Sequence, residues 1–388
     1  MKQVDIVVIG AGSLGAMALW QLGHRSDLRV LGIERYGPVN RHGSYAGESR
    51  LFRTAVKEGR IFNDLADRSV GLWQDLEERT GRSIRLPCGA LSIGPPDIAP
   101  MAATARVIDE FGIPHRMLDE RQLRDEYPQF AIDAGDIGIL DIRGGALRPE
   151  VAVFSALQVA EEHGVDMWYG TEVVDIAPEE TGVVVTTGTT TVRADRVIVT
   201  AGSWTTELLP ELAGLIDVRP IGLTWAMPTD IARYTPEYLP VFLRDRVEPD
   251  GSIVHWFGTP TLDGYSIKIG LYPERWDVVS AVSDVPKAYT EERLDEIGPR
   301  LVECMPGLMG APVRASVHHD GYTGNAVPVV ERFGGGRVIV AAGLSGNGFK
   351  FAPAYGLMLA QLAIGDESDL LRPEFAADRH PERGPVAG

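Results

Sequence analysis

Cysteine is nearly absent. Cys88 and Cys304 are the only two, so a disulfide framework and a four-cysteine metal site are both excluded, and one bridge at most could form. Two reduced thiols suit a cytoplasmic protein, which is the location expected. No apolar run approaches the roughly 18 residues a membrane-spanning helix needs. The start, Met1-Lys2-Gln3-Val4-Asp5, lacks the basic end and long apolar stretch of a signal peptide and reads as a first strand. Positive charge is also short: 37 Lys and Arg face 54 Asp and Glu, a net charge of −17. Phosphate backbones and anionic membranes repel such a chain, so neither nucleic acid nor a membrane is an expected partner. There is no internal repeat, no low-complexity tract and no triplet period in the glycines. What the chain does have is 388 residues at 44% hydrophobic, enough for two or three domains with sizeable cores.

The first forty residues point to a nucleotide. Val4 to Ile9 is a short β-branched run suited to a parallel strand buried on both faces. Gly10-Ala11-Gly12-Ser13-Leu14-Gly15 follows, then a helical stretch from Ala16 to His24. In this spacing Gly10 permits the tight turn, Gly12 lets backbone approach a pyrophosphate, and Gly15 lets the helix pack on the sheet. The helix N-terminus offers unpaired N–H groups and partial positive charge to the phosphates. A second strand, Leu28 to Ile33, ends in Glu34, placed to accept ribose hydroxyls and to repel a 2′-phosphate. These residues predict a dinucleotide and leave FAD and NAD both open.

Three further segments carry chemistry. Asn40 to Ala55 is a Gly/Ser-rich loop expected to run into a helix, with Arg50 and Arg53 on one helical face. Asp195 to Trp204 reads as a buried strand ending in a small-residue turn, with a helix starting at Thr205. Arg337 to Gly356 repeats that pattern, with Gly343, Gly346 and Gly348 between the strand and a helix from about Pro353. Such glycine loops present N–H donors and a helix dipole. Alternating strand-like stretches occur at Val183–Val192 and Ile253–Ile269, with turns at 187–190 and 260–264. Pro228 to Asp250 reads as loop-rich, and the last dozen residues read as a frayed tail.

Taken together, the motifs resemble the amine- and amino-acid-oxidising flavoproteins related to D-amino acid oxidase, in the branch of monomeric sarcosine oxidase and N-methyltryptophan oxidase. The resemblance is carried by Gly10 to Gly15 with Glu34, and by Gly43-Ser44 with Gly47, Arg50 and Arg53. It continues through Gly89-Ala90-Leu91, Ala201-Gly202-Ser203-Trp204, Ile267-Lys268-Ile269-Gly270 and Met305-Pro306-Gly307. It ends with Ala342-Gly343-Leu344-Ser345-Gly346 and Gly348-Phe349-Lys350-Phe351.

The resemblance implies FAD and an α/β protein, α+β overall. A Rossmann-like FAD-binding domain (1–86, 145–215 and 325–388) would be interleaved with a mainly antiparallel-sheet substrate domain (87–144 and 216–324). It implies cofactor contacts at Gly10, Gly12, Ser13, Leu14, Gly15, Glu34 and Arg35, and at Ser44, Arg50, Val173, Ala201, Gly202 and Trp204. Others would fall at Gly343, Ser345, Gly346, Asn347, Gly348, Phe349 and Lys350. It also implies that Arg53 and Lys350 grip a substrate carboxylate, a planar fork beside a point charge. Lys268 matches the lysine that serves oxygen activation, where a cation eases formation of an anion from O₂. Phe257 and Tyr272 stand where the family has an active-site tyrosine and a polar residue, and His255 and Trp225 are further candidates for the substrate pocket.

The activity implied is oxidation of a C–N bond in an N-substituted or cyclic α-amino acid to an imine, with O₂ reduced to H₂O₂, by a monomer. A dehydrogenase using another electron acceptor is the alternative within redox chemistry. A non-catalytic flavin-binding subunit is the alternative outside it. One departure is notable. Relatives that bind FAD covalently use a cysteine after the Met-Pro-Gly turn, and the stretch from Arg314 to Thr323 has none; His318 or Asp320 stands in its place. FAD is therefore expected to be non-covalent, with a bond through His318 as the exception. No metal is expected, since adjacent His318 and His319 on a strand point to opposite faces. No GxSxG elbow supports a hydrolase.

Overall fold

The computed structural model describes residues 1–272 and 276–381. The strand Lys2–Ile9 lies at the centre of the first sheet, parallel to Val30–Ile33 on one side and Thr191–Val199 on the other. Asp166–Trp168 and Val338–Ala342 extend this parallel core outward. Alternation buries both faces: Ile6 and Val8 join one apolar cluster, while Val4, Val7 and Ile9 join another. Three helices cover the first face: Ser13–Gly23, Pro149–Glu162 and Ala352–Ile364. Gly356 lets two of them touch, since a Cβ there would lie 2.4 Å from the Met17 side chain. The 183–192 stretch forms a hairpin edge of this sheet, with Gly182–Thr187 antiparallel to Thr191–Val199.

The second sheet has eight strands and is antiparallel apart from one pair. Its order is Leu308–Thr323, Ile216–Pro228, Ile267–Tyr272, Ile253–Thr259, Val241–Val247, Ala90–Gly94, Ile137–Asp141 and His115–Leu118. The parallel pair is Val241–Val247 with Ala90–Gly94. This corrects the loop-rich reading of 228–250, which holds a full strand. The strand was hidden because Arg244 and Asp245 interrupt its apolar run. Arg244 is nonetheless 1% exposed, its charge met by Asp136 and Asp133, each at 2.7 Å.

A small third sheet joins the two, with Gly145–Leu147 between Arg50–Phe52 and Arg85–Leu86. Here the loop expected from Asn40 is present, but the helix expected to follow it with Arg50 and Arg53 is not. Residues 40–49 form an irregular loop and Arg50–Phe52 is a strand. The loop is closed by Glu150, whose Oε1 accepts the N–H groups of Gly47 (2.7 Å) and Glu48 (3.1 Å), and Arg50–Phe52 takes its backbone bonds from the neighbouring strand Gly145–Leu147. Arg50 and Arg53 therefore lie along an extended chain and share no helical face. The tail also departs from expectation: Ala377–Arg379 forms a 3₁₀ turn, and His380 is buried with Nδ1 3.1 Å from Asn325 Oδ1. Residues 382–388 of that tail lie outside the described residues.

Candidate active site

The glycine hexapeptide explains its own spacing in the fold. Gly10 takes φ +84°, and a Cβ there would sit 2.7 Å from the Thr200 carbonyl oxygen. A Cβ at Gly15 would lie 1.9 Å from the Gly10 carbonyl, so only glycine lets this helix press on the turn. At Gly12 a Cβ would meet only the Tyr45 ring, at 3.8 Å, which leaves room for a pyrophosphate beside the helix N-terminus. Glu34 ends its strand as expected and accepts the N–H groups of Ala11 and Tyr36, each at 2.9 Å. Burial pushes its pKa up, and those two bonds pull against that. A carboxylate has about four acceptor sites, so ribose hydroxyls can still bond there.

These residues open onto a single cleft. Gly10, Gly12, Ser13, Leu14, Glu34 and Arg35 line it, as do Ser44, Val173, Ala201, Gly202, Trp204 and Gly343. Tyr36 and Tyr45, which the sequence had not singled out, line it as well, and so does Asp320, one of the two residues standing where relatives carry the FAD-linking cysteine. Gly15 lies outside the lining, and so do Arg50 and the segment from Ser345 to Lys350. Arg50 is spent on the loop: its guanidinium donates to the carbonyls of Ser49 (2.6 Å), Ser44 (2.8 Å) and Ala46 (2.6 Å). Burial lowers its pKa to about 10. Ser345 takes φ +52° and its Oγ accepts the Thr323 N–H. Gly346 N–H donates to Asp320 Oδ2 at 2.8 Å. Asn347 accepts from Lys350, and Gly348 packs on Leu344. Phe349 turns its ring away from the cleft onto Trp73, at 5.6 Å.

Asp320 is the buried acid of this cleft. Burial raises its pKa to about 6 against the Gly346 and Gly321 N–H bonds. His318 is outside the lining, with Nε2 2.9 Å from Ser316 Oγ, while His319 Nδ1 meets Ser203 Oγ at 3.0 Å. The adjacent histidines thus serve different neighbours. Burial lowers both to about 4.

Arg53 and Lys350 form a buried cationic cluster around Glu58. Both are buried, at 7% and 8% exposure. Arg53 Nη2 is 3.4 Å from Glu58 Oε1, while its Nη1 is buried without an acceptor among the described residues. Lys350 Nζ donates to Asn347 Oδ1 at 2.7 Å. Burial lowers Lys350 to about 7; Glu58 resists this, and Arg53 and Lys57 add to it. For Glu58, burial would raise the pKa, but Arg53, Lys350 and Lys57 outweigh it and hold the acid at about 2. An unpaired buried donor is costly to leave unmet, and a ligand carboxylate would meet it.

Lys268 is 2% exposed on an inner strand of the second sheet, in register with Trp225 and Thr259. Its Nζ donates to the Ser49 carbonyl and lies 3.4 Å from that of Gly47. Burial, then the Arg50 charge, drives its pKa well below the usual lysine range; Glu48 and Glu150 oppose them. Phe257 and Tyr272 lie along the same face as Lys268. The Phe257 ring lies over Gly270, where a Cβ would be 2.7 Å from it. Tyr272 stands at the open end, 58% exposed and paired with His255. The His255 ring bonds the Asp245 carboxylate through Nδ1. Trp225 is buried, its indole N–H donating to Glu48 Oε2 at 2.6 Å.

Sequence reasoning missed Glu48, Glu58 and Glu150. Each is an isolated acid beside a glycine or proline in the sequence, and only the fold sets it against Lys268 or Arg53.

A glycine turn at a helix start, an acid at the end of the next strand and a cleft that both line define a dinucleotide-binding protein. The chain matches the DAO family, described as FAD dependent oxidoreductase, over residues 5–362. It belongs to that family. It is 28% identical over 363 residues to the monomeric sarcosine oxidase of Streptomyces avermitilis, covering 93% of each chain. It is 29% identical over 376 residues to the N-methyl-L-tryptophan oxidase of Salmonella dublin, covering 97% of this chain and 98% of the other. Among solved structures, its fold is similar to that of NikD, described as an unusual amino acid oxidase essential for nikkomycin biosynthesis (TM-score 0.84, 22% identity, 97% and 98% coverage). It is also similar to glycine oxidase from Geobacillus kaustophilus (TM-score 0.80, 18% identity, 98% and 100% coverage). Among the described residues no helix is long and apolar enough to cross a membrane.

Proposed function

We propose that the protein oxidises the C–N bond of an α-amino acid with a substituted or cyclic nitrogen, and that O₂ takes the electrons and leaves as H₂O₂. The observation that carries this reading is the buried Arg53, with Nη1 lacking an acceptor among the described residues, close enough to the buried Lys350 for each charge to act on the other. The names of the two curated relatives support the choice of nitrogen substituent.

The bound flavin supplies a two-electron acceptor for the substrate C–H bond. The chain supplies the rest. Arg53 grips the carboxylate through its fork and Lys350 adds a charge, which fixes the α-carbon in place. Burial of both keeps water from competing. Phe257, His255, Trp225 and Tyr272 stand along the sheet face expected to meet the remainder of the substrate. The amine lone pair drives the step, so no side chain need take a proton from carbon. The Lys268 ammonium then stabilises the negative charge that builds on O₂.

FAD is held without a covalent bond in this reading, since neither Cys88 nor Cys304 lines the cleft. The FAD-binding part is 1–86, 145–215 and 325–388, the substrate part is 87–144 and 216–324, and the enzyme works as a cytoplasmic monomer.

The test is a peroxide-coupled screen of N-methyl, cyclic and primary amino acids, followed by stopped-flow on two variants. Arg53→Ala should slow anaerobic flavin reduction about 30-fold or more, as loss of one partner of a buried charge pair does. Lys268→Met should slow reoxidation by O₂ far more than reduction. A flavin that no amine bleaches would remove the reading.

A further inference from the structure

We propose that Glu48 is a positioning residue for the oxygen half-reaction: its side chain, clamped between Trp225 and Arg314, fixes the turn whose carbonyls hold the Lys268 ammonium. The inference rests on the reading of Lys268 given above and adds the element that places it.

Four observations meet at this residue. Glu48 takes φ +69°, one of three described non-glycine residues with positive φ, the others being Ala326 and Ser345. Glycine would adopt that conformation freely, so an acid here has to be held by its contacts. The contacts are present: Oε2 accepts the Trp225 indole N–H at 2.6 Å and the Arg314 guanidinium at 2.9 Å. Arg314 in turn stacks 3.9 Å from the centre of the Trp225 ring. The residues on either side, Gly47 and Ser49, are the two whose carbonyls face Lys268. Finally, Trp225 lies in register with Lys268 on the adjoining strand. The carboxylate thus ties the turn to the same pair of strands that carries the lysine.

Charge acts in the same direction. The charged and titratable groups around the Lys268 ammonium are Arg50, Arg314 and His318 on one side of the balance, and Glu48 and Glu150 on the other. Removing the Glu48 charge also leaves Arg314 unmatched. Both changes favour neutral Lys268. In the oxygen step O₂ takes two electrons and two protons from the reduced cofactor and leaves as H₂O₂. The first electron creates an anion, so the rate depends on a protonated, correctly placed lysine.

The experiment needs no substrate. Holoenzyme is reduced with dithionite and mixed with O₂ across a range of pH, with Lys268→Met as reference. Glu48→Gln and Glu48→Gly are compared; the glutamine variant loses only the charge, and the glycine variant accepts the turn without strain while losing the whole side chain. Both should reoxidise about tenfold more slowly at neutral pH, as when a group that orients a functional residue is lost. The rate should also fall off with rising pH at a lower midpoint than in the unchanged protein, which a merely structural role would not produce. Crystal structures of the flavin-free variants should show the Lys268 Nζ displaced from the Ser49 carbonyl. Trp225→Phe, which removes one donor, should slow the reaction in the same direction. If Glu48→Gly reoxidises at the normal rate with an unmoved midpoint while Lys268→Met is slow, the inference is overturned and the lysine reading stands. If Lys268→Met reoxidises normally, the lysine reading falls and the inference with it.

Discussion

Glu58 Oε1 lies 3.4 Å from Arg53 Nη2, so the cationic cluster proposed to receive a substrate carboxylate already holds an anion of its own. An incoming carboxylate has to compete with Glu58 for that nitrogen, although Nη1 is open to it at once. Glu58→Gln should therefore tighten binding of a simple carboxylate such as benzoate about fivefold at pH 6, the ~1 kcal/mol of a partly screened ion pair. Titration of the flavin spectrum would measure it. Weaker binding in the variant would show that Glu58 organises Arg53 and does not compete for it.

Carboxylate affinity should depend on pH through Lys350. Its ammonium loses its proton near pH 7, held low mainly by burial. An anionic ligand favours the charged form. Affinity is then full below pH 7 and lost as pH rises above it, by up to about tenfold per unit until the liganded pKa is reached. Lys350→Met should bind more weakly and show no such slope. A flat profile from pH 6 to 9 in the unchanged protein would take Lys350 out of the pocket's electrostatics.

Gly15→Ala should lower the melting temperature and the flavin content together. Its Cβ would fall 1.9 Å from the Gly10 carbonyl, so the helix has to withdraw from the turn. Overpacking of this kind costs about 1–3 kcal/mol. An alanine variant that melts normally and keeps its flavin would mean that the helix start yields more easily than its packing suggests.

Acid precipitation should leave the yellow colour in the supernatant. Cys304 is fully buried in the second sheet's core and Cys88 lies off the cleft, while the buried acid Asp320 lines it. Colour retained by the pellet would point to a bond at Asp320 or His318, and digestion followed by mass spectrometry would say which.

The nucleotide end was legible from sequence because its constraints are local. Gly10, Gly12 and Gly15 answer to one turn and one helix start, and Glu34 to the end of the very next strand. The loop at 40–55 misled for the opposite reason. The spacing of Arg50 and Arg53 suits a helix, but Arg50–Phe52 instead pairs with Gly145–Leu147, which arrives from far along the chain. The strand at Val241–Val247 was unreadable because Arg244 is a core residue only when Asp133 and Asp136 arrive from elsewhere. Arg53, Lys268 and Lys350 could be named by resemblance. Glu48 and Glu58, which set their charge and placement, have meaning only in three dimensions.

Ser49 and Lys268, joined by one hydrogen bond, are 219 positions apart in the chain. The consequence is temporal. During synthesis the glycine turn and Glu34 emerge early, long before the ammonium that would hasten oxygen's attack. Lys350 and the segment from 325 onward are made later still, so on the reading proposed here neither amine oxidation nor peroxide formation is open to a nascent polypeptide until the ribosome has made most of the protein.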